Sequence, residues 1–139
     1  MPAKTHLSWM QRGAALMALL SGLGFGLPAS YGLWHFARYH YVWNFLGFPT
    51  HAAGPLLRRA GIFTSEALIA GFVLVCAAEV LMGVLLWRGR PAGRWLALGL
   101  LPVELLFWVG LVLPFGPPGG LLRTGLLLWQ MAAEKRSSL

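Results

Sequence analysis

Glu79, Glu104 and Arg123 stand inside stretches of sequence that are otherwise almost free of charge. A carboxyl in apolar surroundings can hold, give up or take a proton, which is the work of a general acid or base. A guanidinium can grip a carboxylate through two parallel hydrogen bonds. Trp108 adds an indole N–H that could reach a carboxylate or a ligand, and Cys76 sits one helical turn from Glu79. Glu79 and Glu104 are therefore candidate catalytic residues, as an acid/base pair. Glu79, Glu104, Trp108, Arg123 and Cys76 are candidate ligand-binding residues.

Spacing makes the two glutamates a pair. Glu79 lies 9 residues before Arg88, and Glu104 lies 10 residues after Arg94. At 1.5 Å per helical residue, both are roughly 13–15 Å from the edge marked by those arginines. Two antiparallel helices joined by a short loop would hold the carboxyls at one level. Arg123, 12 residues before Lys135, starts roughly 18 Å up its own helix and is expected to reach Glu104. One arginine against two glutamates leaves one negative charge over, so one carboxyl is expected to keep its proton.

Four uses of such a cluster stay open. It could tie helices together, each hydrogen bond contributing about 0.6–2 kcal/mol. It could receive the head of a lipophilic molecule, quinone- or lipid-like. It could do acid–base chemistry on a sterol-, isoprenoid- or quinone-like substrate dissolved in a membrane. Ion or proton conduction is the fourth. Placing an ionisable group at the bilayer centre costs about 2.5–3.5 kcal/mol, and such groups usually face the interior of a bundle.

The surrounding elements follow from composition. Of 139 residues, 58% are hydrophobic and 11% charged, against about 25% charged in a soluble domain. Disorder is excluded, and a single cysteine excludes a disulfide scaffold. The expectation is an all-α integral membrane four-helix bundle forming a single domain over 1–139. Its spans fall at about 13–34, 65–87, 95–115 and 119–133, with an aromatic interfacial segment at 35–64. The first three are long enough for a hydrocarbon core that takes about 20 residues to cross. The fourth is short and is expected to fold back on the third after a tight turn at 115–120. Lys4 and Arg12 before an apolar run have the form of an export signal. Leu27-Pro28-Ala29-Ser30 is a poor cleavage site, so the segment is expected to stay as the first span.

The net charge of +7 reads as a topology signal, because no basic block is long enough for a nucleic-acid patch. Lys4, Arg12, Arg88, Arg90, Arg94, Lys135 and Arg136 fall on one side; Arg38, Arg58, Arg59 and Arg123 fall on the other. The excess predicts a multi-pass protein with both termini cytoplasmic, in a plasma membrane of bacterial type. Trp9, Trp87, Trp95 and Trp129 would form one aromatic belt, with Trp34 and Trp43 opposite. Expected partners are membrane lipids and a membrane protein complex or further copies of the chain, not nucleic acid. Residues 35–64 carry His35 to Phe45, unusually aromatic, then the breakers Pro49, Gly54 and Pro55. This segment is expected to lie at head-group level and cap the bundle. Residues 1–8 and 134–139 read as free tails.

Gly22-x-x-x-Gly26 is the small-residue pattern that lets membrane helices approach closely; room for a ligand is its other use. Pro102 is expected to kink the third span. His35, His40 and His51 do not have the spacing of a haem or di-iron site, so no metal is expected, and no cofactor is required beyond a quinone or lipid. A lone Cys76 excludes dithiol chemistry.

The run Glu79-Val80-Leu81-Met82-Gly83-Val84-Leu85-Leu86-Trp87-Arg88-Gly89 resembles the Glu-x-x-x-Gly-x-Leu-Leu-x-x-Gly run of DoxX-like membrane proteins. The resemblance implies four transmembrane helices in a chain of this length. It also implies an association with redox, sulfur or quinone metabolism, since named relatives include subunits of a thiosulfate:quinone oxidoreductase. It carries over only Glu79 and Gly83, as features of the fold.

Overall fold

Ser8 opens the first helix by accepting the Gln11 amide on its hydroxyl, at 3.2 Å in the computed structural model. The structure describes residues 8–45, 48–113 and 115–139. Helix α1 (Trp9–Tyr39) ends where His40 turns left-handed (φ 59°) and its N–H bonds the Phe36 carbonyl. His35 to Tyr39, expected in the interfacial segment, therefore continue α1 beyond Trp34. Pro28 lies within the helix, and the Ser30 hydroxyl donates to the Gly26 carbonyl nearby at 2.8 Å.

The connection that follows contains a two-residue antiparallel ladder, β1 (Asn44–Phe45) with β2 (Phe48–Pro49), and the short helix α2 (Pro55–Arg59). Helix α3 (Glu66–Trp87) is capped by Ser65, whose hydroxyl accepts the Leu68 amide. A three-residue turn with Gly89 at φ 69° leads to α4 (Pro91–Gly110). Helix α4 begins four residues before the expected start at Trp95, because proline suits the first helical position, where its missing N–H has no partner to lose.

The expected turn at 115–120 is instead the first turn of α5 (Gly116–Ser137). Pro117 and Pro118 fit there for the same reason. The chain reverses before them, through Leu111 and Val112, the latter at φ 55°. Helix α5 is 22 residues long rather than the short segment 119–133, and it absorbs most of the expected C-terminal tail. Among the described residues the protein is thus all-helical apart from the small ladder. Three helices, α1, α3 and α4, are long and apolar enough to cross a membrane. Helix α5 carries Arg123, Gln130, Glu134, Lys135 and Arg136 and is not one of them.

Helix α1 packs mainly along α3 and also on α5, while α4 packs on α3 and α5. Glycines set the α1–α3 distance. A Cβ at Gly22 would lie 2.8 Å from the Cys76 carbonyl oxygen, and one at Gly26 would lie 2.9 Å from the Cys76 Cβ. Gly83 does the same from α3, where a Cβ would meet Leu19 at 2.6 Å. Between α4 and α5 the Trp108 ring rests directly on Gly116 and Gly120, leaving no room for side chains there.

Polar groups fasten one end of the molecule, called here the hairpin end. Gln11 donates to the Leu86 carbonyl at 3.0 Å and accepts from both Arg94 and Gln130. Arg94 grips Glu134 through two hydrogen bonds of 2.7 and 2.9 Å. Those bonds from Arg94, with one from Gln130, hold the Glu134 carboxyl below its usual range. The start of α1, the α3–α4 turn and the end of α5 therefore meet at the hairpin end.

The opposite, loop end is aromatic. Tyr31 meets Trp43 edge-on at 4.6 Å, and His35 lies 4.8 Å from Tyr41 and 4.9 Å from Tyr39. His51 is buried against Gly32 and the Phe72 ring. Around the flanks, large apolar side chains such as Leu20, Leu74, Leu106 and Trp129 are exposed.

Candidate functional site

Each of the four long helices places one polar side chain at a common point: Ser21 from α1, Glu79 from α3, Glu104 from α4 and Arg123 from α5. Glu79 and Glu104 are 0% exposed and Arg123 is 1% exposed. Burial this deep is tolerated only when charges are paired and hydrogen-bonded.

Arg123 makes the pairing, and it does so unequally. Its Nη2 donates to Glu104 Oε2 at 2.6 Å and its Nη1 to Glu104 Oε1 at 3.2 Å, the bidentate fork of a strong charge-assisted pair. The same Nη1 lies 3.8 Å from Glu79 Oε1, an ion-pair distance but beyond a hydrogen bond. Glu79 is held instead by the Ser21 hydroxyl, 3.2 and 3.1 Å from its two oxygens. A hydroxyl has one proton to give, so it serves one carboxyl oxygen at a time. The two glutamates thus sit in different surroundings, one locked by a cation and the other by a neutral donor.

Two buried donors near this level are unused. Arg123 Nε has no hydrogen-bond partner among the described residues, and neither does Trp108 Nε1. Trp108 stands one turn beyond Glu104 on α4, but its indole N–H does not reach a carboxylate; its ring fills the space over Gly116 and Gly120. Cys76, one turn before Glu79, is buried at the α1–α3 contact beside Gly26. The structure therefore brings Glu79, Glu104 and Arg123 into one cluster, with Trp108 and Cys76 packed on adjacent turns.

A cavity of about 290 Å³ leads to the cluster between α1 and α5. Met17, Leu20, Phe25 and Phe115 supply apolar walls, and Gly116, Gly119 and Gly120 leave the α5 side open. Its polar lining comes from Ser21 and Arg123. The carboxyls lie behind these two side chains, so anything in the cavity meets the hydroxyl and the guanidinium first.

Ser21 is the residue that the charge pattern overlooks. It lies 9 residues after Arg12, the same count that separates Glu79 from Arg88. Extending the depth count from charged to hydroxyl-bearing residues would have found it. Gln11 and Gln130, which fasten the hairpin end, carry no comparable signal.

Compared with family models, curated proteins and solved structures, the chain matches none of them.

Proposed function

We propose that the chain is a multi-pass membrane protein, a four-helix bundle in which α5 completes the crossing, and that it binds a lipophilic molecule at the Ser21–Glu79–Glu104–Arg123 cluster. The observation that carries this is the cavity between α1 and α5, which joins an apolar flank to Ser21 and Arg123. An apolar pocket with a few convergent polar groups is the usual form of a small-molecule site. The ligand's apolar body would lie along Met17, Leu20 and Phe115. Its head would present an oxygen acceptor to Arg123 Nε, as a quinone or lipid carbonyl does, or a hydroxyl donor to the Ser21 oxygen, whose own proton is given to Glu79. Helix α5 enters the bilayer with Arg123 neutralised by Glu104, which removes the main penalty against its crossing.

In this account the protein is an accessory or ligand-carrying component of a bacterial-type plasma membrane. Both termini are cytoplasmic, and it associates with membrane lipids and with a membrane complex or further copies of itself. The resemblance of the Glu79–Gly89 run to DoxX-like proteins agrees with a quinone-linked role.

A second reading is favoured by the unequal settings of the two carboxyls. Glutamates in different environments can divide acid and base roles, so an intramembrane enzyme could use Glu79 as the proton donor while Arg123 holds Glu104 in place. Ser21→Ala and Glu79→Gln separate the readings. Extracted lipids are analysed by mass spectrometry from each purified variant. A binding site predicts that Ser21→Ala lowers retention of the enriched molecule, alongside the loss of thermal stability expected when the buried Glu79 carboxyl loses its donor. An enzyme predicts that Glu79→Gln retains the molecule in an unreacted form. Equal retention and identical species in all proteins would leave a structural role alone.

A further inference from the structure

The loop end holds a second cavity, larger than the one at the ion cluster, of about 560 Å³. Phe25 and Phe115 line both cavities, so the two adjoin at these rings. Beyond them the wall is built from Pro49, Ala53, Leu111 and Leu113 and is overwhelmingly apolar. Among the described residues, Thr50 and Arg58 contribute its polar side chains. The Thr50 hydroxyl is already engaged, donating to the Trp43 carbonyl at 2.6 Å. Arg58 is exposed and has no acidic partner among the described residues.

Helix α2 fixes the height of this arginine. The Gly54 N–H donates to the Gly110 carbonyl at 2.7 Å, and Leu57 is buried directly on Gly110. Arg58 is thereby pinned beside the end of α4. Arg38 and Arg59 add charge at the same end of the chain, against Glu66 as the single acid there. An apolar chamber beneath an unpaired guanidinium at that height complements an amphiphile with a negative head. Basic pockets beside membrane helices recognise anionic lipid head groups in this way, and arginine matches phosphate geometry with a bidentate fork.

We propose that the loop-end cavity seats an acyl chain of an anionic membrane phospholipid, with its phosphate on Arg58. The site depends on the chain lying in a membrane but not on any ligand at the ion cluster. It differs from general lipid contact in selecting for charge at one residue.

The test places the full chain in nanodiscs of equimolar phosphatidylcholine and phosphatidylglycerol and counts the lipids retained on the released protein by native mass spectrometry. Phosphatidylglycerol should be retained several-fold over phosphatidylcholine. Arg58→Ala should bring that ratio to the bulk value, while Arg59→Ala, outside the cavity wall, should leave it high. Ala52→Trp, which fills the cavity, should lower retention of both lipids. If it misfolds, the Arg58 and Arg59 variants decide the matter alone. A wild-type ratio equal to bulk would overturn the proposal, and so would equal losses in Arg58→Ala and Arg59→Ala.

Discussion

Remove the Arg123 guanidinium and Glu104 is left with a buried carboxyl and no counter-charge. Breaking a buried pair from one side typically costs about 3–5 kcal/mol, whereas replacing both partners with apolar groups is often neutral. Arg123→Met should therefore strongly destabilise the protein in detergent, and Arg123→Met with Glu104→Leu should recover most of the loss in thermal unfolding. Recovery would also show that this pair is not needed for folding as such. His51 makes the opposite kind of prediction. Burial pushes its pKa from the usual 6.5 down to about 4, so the folded state binds a proton less readily than the unfolded chain. Stability then falls as pH drops from about 6.5 toward 4. Protection factors for amide exchange across 40–65, referred to the intrinsic rate at each pH, should fall between neutral pH and about pH 5, and His51→Asn, which tolerates φ 62°, should remove that dependence. At this scale the charged residues were legible, because Glu79, Glu104 and Arg123 interrupt apolar runs. Ser21 was not, since a hydroxyl in an apolar helix is too ordinary to stand out. The idle indole N–H of Trp108 depends on how its ring settles on Gly116 and Gly120, which no spacing reveals.

Elements answer to glycines more than to hydrophobic pattern. Gly22 faces the α3 backbone at a distance that leaves no room for a methyl group, whereas a Cβ at Gly24 meets nothing within 4 Å. Gly22→Ala should force α1 and α3 apart and lower the thermal midpoint. Gly24→Ala should be neutral or stabilise by about 0.5–1 kcal/mol, the usual gain from replacing glycine inside a helix. Equal effects would mean that the two helices do not meet as described. The second and third apolar segments were legible as helices because each is long and nearly uncharged. Their ends were less so. Helix α1 overran its expected end because His35 to Tyr39 read as interfacial rings rather than as helix. Helix α5 began early because Gly116-Pro117-Pro118 looks like a turn, although prolines lose nothing in a first helical turn.

Taken whole, the molecule buries three charged side chains, Glu79, Glu104 and Arg123, and keeps most of the others exposed at its helix ends, while leucines lie exposed along its flanks. Fastening by Gln11, Arg94, Gln130 and Glu134 at the hairpin end and an aromatic cluster at the loop end leave the middle of the molecule to the ion cluster and its cavity. That distribution was foreshadowed by the 11% charge, most of it at helix ends. The two cavities were not, because both arise from how α5 and the 40–65 connection lie against α1. The central claim is that the cavity beside Ser21 and Arg123 holds a lipophilic ligand. Gly119 lines it with open space where a side chain would go, so Gly119→Leu fills it without disturbing a helix contact. Mass spectrometry of lipids extracted from wild type and Gly119→Leu, purified identically from the same membranes, is the most direct measurement. The account predicts one species strongly enriched over the bulk membrane in wild type and lost from Gly119→Leu at unchanged thermal stability. The same lipid profile in both proteins, matching the bulk membrane, would contradict it.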